Sequence, residues 1–161
     1  MDEVTRSVVR VEVVDPGRAE ARYCLEAYFA ELARRFDSGF DHTRSISADN
    51  AELTSPAGLL LMATLHDEPV GCGALKLHGG EPAELKRMWV SPDVRGLGVG
   101  RRLLAELERE AVAHGAPAVR LETNRALTEA IALYRAAGYQ EVAAFNAEPY
   151  AHHWFEKSLN A

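Results

Sequence analysis

Arg95, Gly98 and Gly100, spaced Arg-x-x-Gly-x-Gly and followed at once by Arg101 and Arg102, are the residues of this chain best suited to hold an anion. Glycines let the backbone approach a ligand with no Cβ in the way. The turn Ser91–Gly100 ends where Val99, Leu103, Leu104, Leu107 and Ala111 take up helical spacing, so it delivers the free N–H groups of a helix start. The helix dipole adds partial positive charge, and Arg95, Arg101 and Arg102 add full charge. Such a convergence suits a phosphate.

Two phosphate-binding patterns fail here. A Walker loop needs Gly-Lys followed by Ser or Thr, which this stretch lacks. A dinucleotide fingerprint fits at Gly96 and Gly98, with Glu122 at a suitable distance, but its third glycine position holds Arg101.

The elements around the turn also exclude a doubly wound sheet. Ser7–Val14 reads as a strand. Asp15-Pro16 signals a helix start, with Asp15 as N-cap, and Ala21, Leu25, Tyr28, Leu32 and Phe36 continue at helical spacing. Asp37–Asn50 is mostly loop with room for a short helix. Gly58–Leu65, Val70–Leu77 and Glu84–Val90 form an antiparallel meander, the second strand loosened by Gly71 and Gly73. Gly115 and Pro117 stop the helix after the turn, and Ala118–Thr123 is the next strand. Thr128 can cap a helix running through Ala137. Tyr139–Phe145 and His152–Leu159 close the chain as strands. The fold class is therefore α/β: a mostly antiparallel mixed sheet with about four flanking helices. One right-handed crossover makes Glu84–Val90 and Ala118–Thr123 parallel.

Arg95-x-x-Gly98-x-Gly100 matches the Q/R-x-x-G-x-G/A signature, and the context agrees on both sides. Glu84-Leu85-Lys86-Arg87-Met88-Trp89-Val90-Ser91-Pro92 precedes it. Leu121-Glu122-Thr123-Asn124 and Ala132-Leu133-Tyr134-Arg135-Ala136-Ala137-Gly138-Tyr139 follow it. Over nearly its whole length, read as one domain of residues 1–161, the chain resembles the GNAT superfamily of N-acetyltransferases.

That resemblance implies acetyl-CoA as cosubstrate, lying where the sheet splays open. The backbone of Met88, Trp89 and Val90 would line the thioester arm, with the Val90 N–H on the carbonyl oxygen as an oxyanion donor. Arg95, Gly96, Gly98, Val99, Gly100 and Arg101 would hold the pyrophosphate. Arg102 either reaches the phosphates or lies on a solvated helix face. Tyr134 matches the tyrosine near the sulfur. With an ordinary pKa near 10 it stays protonated and can serve as acid to the thiolate; the other reading is a core aromatic. A base must deprotonate the amine. Glu84 is the first choice, with Glu122 and a water chain as rivals, and either glutamate can instead be an ion partner of Lys86 or Arg87. Asn124 either bonds the coenzyme arm or caps a turn. The implied activity is direct acetyl transfer to a primary amine of a small molecule or protein. An acyl-CoA sensor or interaction domain is the alternative, and a homodimer is possible.

The acceptor site should come from the first helix, Asp37–Asn50 and the late strands, where Arg35, Asp37, Asp41, His42 and Arg44 offer mixed polar chemistry. Tyr150, Phe145, Trp154 and Phe155 are core, pocket wall or a dimer contact. His152 and His153 point to opposite faces of a strand, and no HxH or HExxH spacing exists, so no metal is expected. Cys72 reads as a small buried hydrophobe, and Cys24 and Cys72 form no disulfide framework.

Composition bounds the rest. Among 161 residues, 18 basic and 24 acidic side chains give a formal charge of −6, which lacks the broad cationic surface of a nucleic-acid binder. No apolar run approaches the roughly 18 to 20 residues of a membrane span. With no apolar signal core near Met1 and only two cysteines, a reduced cytoplasmic setting is expected.

Overall fold

The structure is a computed structural model, described here for residues 9–46 and 49–159. Its seven strands are β1 (Val9–Val13), β2 (Gly58–Leu65), β3 (Glu68–Lys76), β4 (Ala83–Val90), β5 (Ala118–Thr123), β6 (Gln140–Val142) and β7 (His153–Ser158). They form one sheet in the order β1-β2-β3-β4-β5-β7-β6. Every neighbouring pair is antiparallel except β4 and β5, as the crossover requires. Among the described residues there are three α-helices, α1 (Ala19–Arg35), α2 (Val99–Ala113) and α3 (Thr128–Ala136), and two short 3₁₀ helices, of which His42–Arg44 lies in the segment read as having room for a short helix.

The central strands are apolar without alternation because both sheet faces are covered. From β2, Leu59, Leu61 and Ala63 join the cluster that holds Leu103, Leu104 and Leu107 of α2. Leu60 and Met62 turn the other way, to Ala21, Cys24 and Leu25 of α1. Gly71 and Gly73 do more than loosen β3. A Cβ on either would come within 2.9 Å of Leu103 Cδ1 or 2.7 Å of Leu107 Cδ1, so these glycines let α2 lie close to the sheet. That contact fixes the start of α2 over the end of β4.

Several boundaries differ from the sequence reading, each for a local reason. Asp15 does not cap α1. Its carboxylate accepts from Gly17 N at 2.7 Å and its carbonyl from Arg18 N at 3.0 Å, which closes a turn before the helix begins. Thr128 is the first residue of α3 and not its cap. The strand expected over Tyr139–Phe145 is reduced to Gln140–Val142, because the chain then leaves the sheet to pack beside the site. Residues 7 and 8 of the first expected strand lie outside the described residues.

Candidate active site

β4 and β5 separate almost as soon as they meet. Their parallel register comprises only Ala83 opposite Val119 and Glu84 opposite Arg120. Beyond Glu84 the β5 side of β4 has no strand partner. Ser91 N donates to Val70 O of β3 at 2.8 Å. Peptide groups alternate along a strand, so the Val90 N–H and C=O point away from β3, into the gap. Arg95 Nε reaches Val90 O from that side, at 3.2 Å.

The gap continues into a groove of about 720 Å³ that runs beneath the turn and along α2 and α3. Met88, Trp89, Val90, Arg95, Gly96, Gly98, Val99, Gly100 and Arg101 all line it. Gly96 and Gly98 have φ of 88° and 82°, a conformation that L side chains rarely adopt. The first intrahelical bond of α2 runs from Arg102 N to Gly98 O at 3.1 Å, so the amides of Val99, Gly100 and Arg101 precede it and face outward at the positive end of the dipole. A Cβ on Gly100 would meet Leu133 Cδ2 at 3.2 Å, so the helix start is packed to its limit.

The arginines divide their work. Arg95 is ion-paired with the buried Glu31 of α1 and so braces the turn. Arg102 donates to Val9 O on β1 and ties α2 to the sheet edge, neither of the two places expected for it. Arg101 is exposed and has no ion partner among the described residues, so it is the side chain best placed to meet an anion.

Opposite the groove, β4 and β5 open into a second, smaller cavity of about 90 Å³. The two spaces share Tyr28, Leu32, Met88, Leu127 and Ala130, so they meet at the splay. One wall is aromatic: Phe29 stacks on Phe40 at 5.8 Å, and Phe40 packs against Tyr150 at 4.8 Å. The loop that carries Phe40 is strapped down. Asp41 N donates to Tyr150 Oη at 2.9 Å, and buried Glu148 accepts from Ser45 Oγ at 2.6 Å and from Ile46 N. The other wall is charged. Lys86 Nζ lies 2.5 Å from Glu122 Oε1, both side chains being 8% exposed, while Glu122 Oε2 is buried without a hydrogen-bond partner among the described residues.

A strand pair that splays beside a glycine-rich helix start, with a groove on one side and a smaller cavity on the other, is an architecture with close parallels. A sequence profile of the acetyltransferase (GNAT) family matches residues 25–139. The chain belongs to the GNAT acetyltransferase family. Members of that family draw their acetyl group from acetyl-CoA. The GNAT chain is 42% identical over 94 residues to an IAA acetyltransferase of Azospirillum brasilense, a match covering 58% of this chain and 61% of that protein. It thus spans under two thirds of that relative's length. Among solved structures, a Klebsiella pneumoniae protein provisionally named an acyl-CoA N-acyltransferase is 29% identical, with a TM-score of 0.77 over 96% of this chain and 99% of the other. A Bacillus anthracis protein provisionally named a streptothricin acetyltransferase, solved with acetyl coenzyme A, shares the fold at 21% identity. Its TM-score is 0.60 over 70% of this chain and 69% of that one.

Within this GNAT frame some expected residues move. Tyr134 is 5% exposed, lines the small cavity and not the groove, and packs 5.9 Å from Tyr139. Burial, with lesser contributions from Tyr28 and Glu122, raises its pKa well above the ordinary tyrosine value. Glu84 lines neither space; it sits at the closed end of β4, 3.6 Å from Arg120 and 3.7 Å from His78. Asn124 lines the small cavity, with its amide on Tyr150 O at 2.8 Å and its carbonyl accepting from Ala126 N at 2.8 Å, so it works as a turn cap. Of the candidate acceptor residues, Arg35 lines the groove and the others line neither space. Tyr150 is a cavity wall, Phe155 is core, and Phe145 carries Arg120 at 4.3 Å. Cys24 and Cys72, remote in sequence, are both buried in the cluster beneath α1. No group of three or more metal-ligating side chains occurs among the described residues.

Sequence reasoning missed Arg87, Phe29, Phe40 and Glu148. Arg87 has φ of 55° at an irregularity where β4 gains a residue against β3. Nothing in its type signals that conformation. The aromatic residues read as helix and loop positions until the loop folds back.

Proposed function

We propose that this chain is an N-acetyltransferase that moves the acetyl group of acetyl-CoA directly to a primary amine. The observation that carries the reading is the junction: an anion-suited groove and a smaller cavity meet along the unpaired edge of β4, at Met88. The groove fits the coenzyme on chemical grounds, since free amides and Arg101 suit a pyrophosphate and the open edge of β4 suits an amide-bearing arm. When bound, acetyl-CoA supplies the activated acetyl thioester.

This chain's residues do the rest. The Val90 N–H, directed into the gap, donates to the carbonyl oxygen as negative charge grows there. Glu122, in place of Glu84, takes a proton from the substrate ammonium at Oε2, directly or through one water, and so frees the neutral amine to attack. Its unpartnered buried oxygen and its place on the cavity wall support that assignment. Tyr134 gives its phenolic proton to the departing thiolate and regains one from the amine nitrogen as the tetrahedral adduct collapses, directly or through water. Its raised pKa keeps it protonated until that moment. Lys86 holds Glu122 in position.

Thermal melting with acetyl-CoA, followed by thiol release across an amine panel, tests this. A ligand at about 100 times its Kd adds about 2.7 kcal/mol, and for a domain this size the Tm should rise by roughly 5 to 10 °C. No rise at saturating acetyl-CoA overturns the groove assignment. A rise with no thiol release from any amine favours a coenzyme sensor.

A further inference from the structure

The arginine that opens the glycine-rich turn commits its side chain within the protein. Ser91 Oγ accepts from Asp93 N at 3.3 Å and Ser91 O accepts from Val94 N at 3.1 Å, so the 3₁₀ helix Pro92–Val94 folds the chain back toward β4. Val94 is buried and anchors that return. Arg95 comes next, and its Nε donates to Val90 O at 3.2 Å. Its Nη2 donates to the Glu31 carboxylate on α1. One planar guanidinium thus joins the end of β4 to a helix, using the rigid fork of donors that distinguishes arginine from lysine.

Glu31 is held in its turn. It is buried, and a carboxylate out of water is unfavourable unless cations face it. Arg95 is one such cation. Arg35, one turn further along α1, is another, with Nη1 3.9 Å from Glu31 Oε1. Arg35 Nη2 is itself fixed, 2.8 Å from Ala126 O and 2.8 Å from Glu129 Oε2 of α3. Cations and carboxylates alternate along Arg95, Glu31, Arg35 and Glu129, so their charges cancel. All four line the groove, yet together they bring it no net positive charge. Arg101 and the amides of the helix start are left to meet an anion.

The peptide between Val90 and Ser91 is clamped from both sides. Ser91 N donates to Val70 O of β3 at 2.8 Å, and Arg95 holds Val90 O from the gap. The parallel register with β5 ends at Glu84, so Arg95 supplies at Val90 the bond that a neighbouring strand would otherwise give. The N–H and C=O of one strand residue point the same way, so a bond that fixes Val90 O also fixes the direction of the Val90 N–H. An oxyanion donor works by preorganised aim, and misplacement by about 1 Å can cost on the order of 100-fold. We propose that Arg95 and Glu31 are positioning residues for the oxyanion donor and not phosphate ligands: Glu31 holds Arg95 on the Val90 carbonyl, and Arg95 thereby aims the Val90 N–H at the acetyl carbonyl oxygen. This rests on the acetyl-transfer reading above.

The test reads the carbonyl itself and needs no acceptor. Acetyl-CoA isotopically labelled at its acetyl carbonyl is bound to the protein, its infrared stretch is compared with that of the free compound, and Kd is measured by calorimetry. A hydrogen bond to the oxygen lowers the stretching frequency, so the wild-type chain should shift the band down. Arg95→Gln and Glu31→Gln should each lose most of that shift while Kd stays within about threefold, and the double variant should do no more than Arg95→Gln alone. Arg95→Lys keeps a cation for Glu31, and with it the fold, but lacks the fork and should lose the shift as well. Arg101→Gln should do the reverse, raising Kd by about tenfold with the shift retained. A shift that survives Arg95→Gln or Arg95→Lys overturns the proposal. A rise in Kd of about tenfold or more in Arg95→Gln makes Arg95 a phosphate ligand and overturns it too. A wild-type chain that binds acetyl-CoA with no shift removes the oxyanion assignment and this inference with it. No binding at all removes the transferase reading.

Discussion

The anion-suited end of the groove is written in one contiguous stretch, from β4 through the turn to α2. The cavity beside it takes its walls from α1, the loop at Phe40–Ile46, β4, β5 and the irregular segment at Glu148–Ala151. The two spaces meet at the same residues, yet they rest on different physics. The groove offers backbone: amides set by glycine conformations and a helix start, donors of a kind suited to an anion. The cavity offers side chains: rings, a buried ion pair and a bulged arginine, each held by contacts between distant segments. A donor common to a whole family can be met by backbone, and an acceptor particular to one member needs a surface that can change. Substitutions in the two regions should therefore differ in what they damage.

The largest effect is expected in the groove. Gly98→Val puts a β-branched side chain at φ of 82°, where such residues are genuine outliers. The turn must rearrange, and the amides of Val99 and Gly100 lose their aim. We expect kcat/KM for acetyl-CoA to fall on the order of 1,000-fold, equivalent to about 4 kcal/mol. The loss should appear in acetyl-CoA affinity, read by calorimetry. Full affinity in this variant would end the distinction drawn here, because it would mean that the turn's backbone does not hold the coenzyme.

Next comes the small cavity. Tyr134→Phe removes the phenolic proton while keeping the ring in its place against Tyr139 and Phe155. A fall in kcat of about 100-fold with acetyl-CoA affinity nearly unaltered is the expected outcome. Equal changes in kcat and in coenzyme Kd would move Tyr134 into the groove's machinery instead.

The contrast between the regions also explains what was legible in the sequence. The element order, the parallel crossover and the turn at Arg95–Gly100 follow from local signals: apolar spacing, stop residues and glycines beside arginines. The bounds of β2 and β5 match the residues read as Gly58–Leu65 and Ala118–Thr123. Local competition hid the start of α1, where the Asp15 carboxylate caps a turn in place of a helix. The side-chain work of Arg95 and Arg102 was hidden too, because their partners Glu31 and Val9 come from elsewhere in the chain. The cavity was the least legible part. Phe29 sits in a helix and Phe40 in a loop, and only folding brings them to a stacked contact. Lys86 is one of the ion partners that the sequence offers Glu122, and register across the splay decides for it.

The two glutamates sharpen the comparison further. Glu122→Gln should cost about 100-fold in kcat if its carboxylate takes the amine's proton. It should also lower stability by about 3 kcal/mol, since Lys86 keeps a buried charge with no opposite partner. Glu84→Gln loses only partly screened contacts to Arg120 and His78 and should leave kcat within about twofold. A reversal of this order would return the base to β4's closed end and show that the cavity wall is not where the amine is deprotonated.

The smallest effect separates the cavity's tyrosines from the coenzyme altogether. Burial, first among the causes, raises the pKa of Tyr28, Tyr134 and Tyr139 above the ordinary value. A raised value in the native state contributes stability that is fully present below the unfolded pKa of about 10 and is lost as pH rises beyond it, because the unfolded chain gives up its protons first. At pH 11 each such tyrosine removes about 1.4 kcal/mol of stability. Urea unfolding at pH 9 and pH 11 should therefore show a smaller alkaline loss in Tyr134→Phe than in the wild-type chain, by about that amount. An identical loss in both would mean that Tyr134 ionises in the folded protein as readily as in the unfolded one. Its phenol would then meet water freely, and the buried setting that the acid role depends on would be lost.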